Sequence, residues 1–196
     1  MKKVLILEGN LVKDPNISYT HATLNVLDEY LLNSKEYEVQ RYDLNTTHSE
    51  TYLTKNNIPN YWNEIDADFW INKLKETDLL ILSSSMVNFA SPVVVKNFID
   101  SICVADKTFS YKYSKKGDAI GLLTNLSVIL ITSQGAPEGW YQWGNHKEWL
   151  KGTFNFLGAK SIKTLSIDGT KVKPISDIKP IQFAQDIKEK LIELIK

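Results

Sequence analysis

The residues best suited to chemistry fall in three short polar segments, each placed directly after an apolar run. The longest is Ser83-Ser84-Ser85-Met86-Val87-Asn88-Phe89-Ala90-Ser91-Pro92. A thioether from Met86, an amide from Asn88 and a ring from Phe89 together suit a flat heterocycle with hydrogen-bonding edges. The second segment runs from Glu8-Gly9-Asn10 to Thr20. Ser18, Tyr19 and Thr20 stand where a helix should begin, so unpaired backbone N–H groups and the helix dipole favour an anion such as a phosphate monoester. The third is Ser133-Gln134-Gly135-Ala136. Gly135 lets the backbone approach a ligand closely, and Ser133 and Gln134 offer bonds to its polar edge. Taken singly, each segment has an ordinary explanation as a helix cap or a strand-to-helix turn.

Other chemistries lack their residues. The second segment is neither a Walker A sequence nor a G-x-G-x-x-G turn, which argues against a nucleoside triphosphate or a Rossmann-bound dinucleotide. His21, His48 and His146 are far apart and show no H-E-x-x-H spacing, so no metal site is expected. His21 is expected to be a solvated helix residue, while His146 is better placed to face a crevice. No G-x-S-x-G elbow is present. Asp14, Asp66 and Asp68 do not fall at strand ends as the acidic pocket of a receiver domain requires. Trp140, Tyr141, Trp143 and Trp149 cluster after the third segment; packing in a core or interface is the favoured role, closure over a planar ligand the alternative. Cys103 stands alone, which excludes an internal disulfide, and it is expected to be a buried thiol on a helix.

What positions these segments is an alternation of strands and helices. Val4–Leu7, Asp78–Ser84 and Ser127–Thr132 are apolar runs, as expected for strands covered on both faces. Tyr37–Leu44 and Ser161–Ile167 alternate in polarity, which suits edge strands. Helical spacing marks Thr20–Leu32, Asp66–Glu76, the stretch carrying Val95, Phe98, Ile99 and Ile102, then Trp149–Leu157, and a closing helix through Phe183, Ile187, Leu191 and Leu194. Ser91 reads as an N-cap with Pro92 as the first helical residue. Lys107–Tyr113 alternates like a small hairpin arm, and Asn45–Ile65 reads as a long polar excursion. Right-handed crossovers between such strands give a doubly wound parallel sheet of five strands in flavodoxin-like order 2-1-3-4-5, with helices on both faces. The order reverses between the first and third strands, so the three polar segments converge on one crevice.

The 196 residues form one predicted domain, 1–196, long enough to bury roughly 70% of the unfolded surface. Its 23 basic and 23 acidic residues cancel, leaving no footprint for nucleic acid or an anionic membrane. No run approaches the roughly 20 apolar residues of a membrane span. Met1–Leu7 starts like a signal peptide but stops at Glu8-Gly9-Asn10, and a soluble, cytoplasmic protein is expected.

The ordered set of segments resembles the FMN-dependent NADH:quinone oxidoreductases known as azoreductases, within the flavodoxin-like quinone reductase group. The resemblance is carried by Ser18-Tyr19-Thr20, by Met86-Val87-Asn88-Phe89 with Pro92, Lys96, Phe98 and Asp100, and by Lys107-Thr108-Phe109-Ser110-Tyr111. Gly121-Leu122-Leu123-Thr124, Ile131-Thr132-Ser133-Gln134-Gly135 and Asn155-Phe156-Leu157-Gly158 complete it. It implies tightly bound FMN, with NADH as donor and quinones or azo compounds as acceptors in a ping-pong cycle. It also implies a homodimer with FMN at the interface. Ser18, Tyr19 and Thr20, with Gly9 and Asn10, would take the phosphate; Ser85 to Phe89 would line the ring system; Ser133, Gln134, Gly135 and Ala136 would meet its pyrimidine edge. Tyr111, Phe154 and Phe156 would shape the substrate pocket. The flavin carries the chemistry, so no side chain is singled out as catalytic. Val87, Gln134, Ala136 and Gly9 depart from the family's pattern; at Gln134 the family usually has an Arg. A one-electron carrier of the flavodoxin type and a cofactor-less interaction domain are the alternatives.

Overall fold

The computed structural model describes residues 1–112 and 119–196; Tyr113, the end of the predicted arm, lies outside them. The strands among the described residues are β1 (Lys2–Glu8), β2 (Tyr37–Asp43), β3 (Leu79–Ser85), the two-residue β4 (Phe109–Ser110) and β5 (Ile120–Gly121), β6 (Ser127–Gln134) and β7 (Ser161–Asp168). The helices are α1 (Tyr19–Asn33), α2 (Leu44–Thr47), α3 (Tyr61–Glu64), α4 (Ala67–Glu76), α5 (Val93–Ile102), α6 (His146–Phe156), α7 (Pro180–Asp186) and α8 (Lys188–Ile195). Five strands form one wholly parallel sheet in the order β2-β1-β3-β6-β7, which is the 2-1-3-4-5 order expected. β4, within the predicted arm, pairs antiparallel with β5, which lies beyond the arm's predicted end.

The continuous apolar runs have a direct cause. Leu5, Leu7, Leu80, Leu82, Val128 and Leu130 enter one core with Ile71, Phe98, Leu150 and Phe154 from α4, α5 and α6. Val4, Ile6, Ile81, Ile129 and Ile131 enter a second core with Leu24, Leu27 and Leu191 from α1 and α8. Successive strand residues point to opposite faces, and both faces are covered, so every position of a central strand must be apolar. The edge strands need only half as many, hence their alternation.

Several boundaries differ from expectation. Val93, not Pro92, opens α5: Pro92 is its extended N-cap residue, with its carbonyl accepting from the Val95 and Lys96 N–H groups at 3.0 and 3.1 Å. Ser91 therefore caps nothing. Cys103 is the residue that ends α5 and is only half-buried. The closing helix breaks at Ile187 into α7 and α8. The polar excursion after Asp43 holds two single-turn helices, and its Tyr61 is fully buried. The Tyr61 hydroxyl donates to Asn97 Oδ1 at 2.6 Å, while Asn97 Nδ2 donates to the carbonyls of His48 and Thr51 at 2.8 and 2.7 Å. A few side-chain hydrogen bonds thus pin a segment that has no apolar period to announce it. No helix among the described residues is long and apolar enough to cross a membrane.

Candidate functional site

The carboxyl ends of β1, β3, β6 and β7 lie on one rim of the sheet, and a cavity of about 550 Å³ opens there. Three chain-distant turns build it: Ser18 and Tyr19 from the start of α1; Ser85, Met86, Asn88 and Phe89 after β3; Ser133, Gln134, Gly135 and Ala136 at and after the end of β6. The Met86 N–H donates to the Ser133 carbonyl at 2.7 Å, which holds the second and third turns side by side.

At one part of the cavity, Ser18 is the N-cap of α1 and its hydroxyl accepts from the His21 N–H at 3.2 Å. The N–H groups of Tyr19 and Thr20, in the first helical turn, have no intrahelical acceptor, so this end can take an anion. Tyr19 is itself fixed, its hydroxyl donating toward the Ile175 and Ile178 carbonyls. Burial raises its pKa. Behind it, Glu8 is buried at the end of β1, paired with His21 Nδ1 and accepting from Arg41 Nη2 at 2.9 Å. Arg41 also donates to Asp28 at 2.7 Å. His21 is therefore a buried partner of a buried carboxylate and not a solvated helix residue, because an unpaired Glu8 would be costly there.

The middle of the cavity is a two-residue turn. The Val87 N–H donates to the Ala90 carbonyl at 2.8 Å, and the Ala90 N–H returns the bond at 3.1 Å. Asn88 and Phe89 between them have φ of 46° and 73°. Left-handed backbone at both central positions is the geometry of a type I′ turn, which Asn at the first position tolerates and which is strained for Phe at the second. The Phe89 ring meets Tyr141 edge-on at 5.0 Å and Trp143 at 5.9 Å, and Gly144 leaves room beneath it. Trp140 and Tyr141 line the cavity, whereas Trp140 and Trp143 are largely exposed; this stretch is not core.

At the third turn, the carbonyls of Gln134, Gly135 and Ala136 accept in order from the N–H groups of Thr170, Lys171 and Gly169, at 3.1, 3.0 and 2.8 Å. A trans peptide sets N–H opposite C=O, so the N–H groups of Gly135 and Ala136 point away from that strap. The Gln134 amide is turned onto its own loop, donating to the Ala136 and Pro137 carbonyls at 3.0 and 3.1 Å.

Not every expected residue faces the cavity. Gly9 packs on α5: a Cβ built there would fall 2.1 Å from Val95 Cγ2 and 2.9 Å from the Ser83 carbonyl. Asn10 is buried, donating to the Ser83 hydroxyl at 3.0 Å, and Thr20 is fully buried beside Ser18. Val87 sits outside the lining. Phe154 is fully buried in the core and presents no surface to a substrate, since α6 turns it toward the sheet. Tyr111 and Phe156 flank Phe109, with ring centroids 5.4 and 5.0 Å from it, away from the cavity's lining. His146 is buried in a neighbouring polar cavity of about 130 Å³, and burial holds its imidazole below the ordinary value. Val12, Ile17, Thr170, Lys171 and Val172 line the main cavity without having been expected. The last three follow β7, and a fifth parallel strand ending on the same rim was a usable signal. Among the described residues no cluster of His, Cys, Asp or Glu is fit to hold a metal.

The donors suit a flavin mononucleotide. They comprise an uncharged anion cradle at one turn, apolar and aromatic walls from Val12, Ile17, Met86 and Phe89, and backbone N–H groups at the other turn for a polar ring edge.

Comparison with known proteins agrees with this fold. Residues 2–191 match a family described as having a flavodoxin-like fold. A protein named FMN-dependent NADH:quinone oxidoreductase from Mycoplasmopsis synoviae (strain 53) is 47% identical over 201 residues, covering 100% of this chain and 99% of its own length. A protein of the same name from Metamycoplasma arthritidis (strain 158L3-1) is 45% identical over 199 residues, covering 98% of this chain and 100% of its own. Among solved structures, an FMN-dependent NADH-azoreductase from Bacillus anthracis str. Ames Ancestor in complex with FMN superposes with a TM-score of 0.74 at 19% identity, covering all of both chains. That likeness concerns the fold.

Proposed function

Because this chain belongs to the flavodoxin-like fold family, with relatives named FMN-dependent NADH:quinone oxidoreductases, we propose that it is such an enzyme: it binds FMN and uses NADH to reduce quinones. The observation that carries the reading is the meeting of the Ser18–Tyr19, Ser85–Phe89 and Ser133–Ala136 turns around one cavity of about 550 Å³. FMN, when bound, supplies the chemistry of accepting a hydride from NADH and passing it on. The chain's residues bind and orient it. Ser18 and the first turn of α1 would take the phosphate, Met86 and Phe89 would flank the ring system, and the Ser133–Ala136 loop would bond its pyrimidine edge. Donor and acceptor would use the same cavity in turn, a ping-pong cycle, and azo compounds, flat and reducible, would enter the same way.

The functional particle is a homodimer in this reading. Ile99 of α5 and Cys103 just past its end, with Trp149 and Phe156 of α6, line a groove whose two aromatic rings are more than a third exposed. In this reading Tyr111 and Phe156, which lie away from the cavity of their own chain, would serve that of the second copy.

Purified protein should be yellow, release FMN on denaturation and reduce a soluble quinone rapidly with NADH. A colourless preparation that takes up no added FMN would sink the proposal, and slow one-electron turnover alone would favour a carrier. Asn88→Trp, which fills the turn at the cavity's centre, should lower FMN occupancy at least tenfold; unchanged occupancy would remove that turn from the site.

A further inference from the structure

Among the described residues that line the cavity, Lys171 is the one that carries a full charge. Its place is built and not incidental. Gly169, Thr170 and Lys171 each donate a backbone bond to the Gln134–Ala136 loop, and the Thr170 hydroxyl adds another to the Gln134 carbonyl at 3.1 Å. The Lys171 stem then lies across Gly135, where a built Cβ would fall 3.1 Å from Cδ, 3.3 Å from Cγ and 3.6 Å from Cε. A Cβ at this position would press on the stem, and Gly135 leaves it room to lie close to the loop. Among the described residues, no carboxylate forms an ion pair with the Lys171 ammonium.

The loop beneath it holds no charged side chain, and the Gln134 amide is committed to the Ala136 and Pro137 carbonyls. A neutral ring system that accepts hydride, one proton with two electrons, gains one negative charge. When the hydride leaves to a quinone, a solvent proton completes the hydroquinone and that charge is lost. The site therefore needs a cation in one half of the cycle only. Resting on the reading above, we propose that Lys171 is the charge-compensating residue for the reduced flavin, delivered by the strap after β7 in place of any charge on the Ser133–Ala136 loop.

The test uses the FMN-loaded full chain, wild type against Lys171→Gln and Lys171→Arg. Midpoint potentials are read by equilibration with a reference dye, and affinities are measured for FMN and for riboflavin, which lacks the phosphate. Lys171→Gln should make reduction about tenfold less favourable, a fall of about 30 mV for a two-electron couple. Lys171→Arg should restore most of it. The difference should shrink at high salt, because the ammonium is exposed and its field is screened. Affinity for oxidised FMN and for riboflavin should change by less than about threefold, since the oxidised ring is neutral. A wild-type potential retained in Lys171→Gln overturns the inference. So does a tenfold loss of FMN affinity with riboflavin spared, which would make Lys171 a phosphate ligand. Wild-type protein that binds no FMN fails earlier and takes the functional reading with it. Among the described residues the Lys171 ammonium forms no ion pair, so the variants should unfold at the wild-type midpoint.

Discussion

His48 is sealed between Trp70 and Phe98, with ring centroids 5.0 and 5.4 Å away, and has no exposure to water. Burial pushes its pKa down to about 4 from an ordinary 6.5. The unfolded chain therefore takes up a proton below pH 6.5 that the fold refuses until about pH 4. This contribution to stability is intact above pH 6.5 and lost progressively as the pH falls, to a ceiling of about 3 kcal/mol. Urea unfolding at pH 7 and pH 4.5 should show a smaller acid loss in His48→Gln than in wild type. Equal losses would mean that the neutral burial of His48 is not the source. Cys103 behaves differently: half-buried at the end of α5, its thiol is pushed up to about 11, chiefly by burial. At pH 7.5 it should react with a disulfide reagent at well under a tenth of the rate of a free thiol of ordinary pKa, and denaturant should restore the full rate.

At the scale of elements, the end of β1 is fixed by how closely α5 can approach it. Gly9 donates its N–H to the Ser83 carbonyl at 2.9 Å, and its missing side chain makes room for Val95. Gly9→Ala would place a methyl inside van der Waals contact with both. Overpacking of this kind costs about 1–3 kcal/mol. The expected result is a lower urea midpoint with an unchanged slope, and an unaltered midpoint would mean that α5 can move freely. Gly9 was read from sequence as a phosphate neighbour. Its type was informative, but it answered to a helix nearly ninety residues away. The same holds for His21. It was expected in solvent, but it is buried against Glu8, a carboxylate that Arg41 from β2 also pairs.

At the scale of the whole molecule, the groove between α5 and α6 and the cavity at the sheet rim make separate demands. If Trp149 and Phe156 meet a second copy, sedimentation equilibrium should give about twice 22.4 kDa, and Trp149→Lys should return the mass to one chain. A wild-type mass of one chain would dismiss the dimer while leaving the cavity untouched. The sheet order was legible from the sequence because it follows from burial alone. Leu5 to Leu7, Leu80 to Leu82 and Val128 to Ile131 are apolar at every position, and only strands covered on both faces require that. The turns at their carboxyl ends had to share a rim, so Ser18, Tyr19, Met86, Asn88, Phe89 and Gly135 could be found in advance. Which neighbours turn inward could not be found that way. Val87, Asn10 and Phe154 face elsewhere, and Lys171 reaches the cavity because its backbone bonds to a loop thirty-six residues earlier in the chain. Periodicity records the average environment along one segment. The direction of a single side chain is decided by the hydrogen bonds and close contacts between segments, which exist only once the chain has folded.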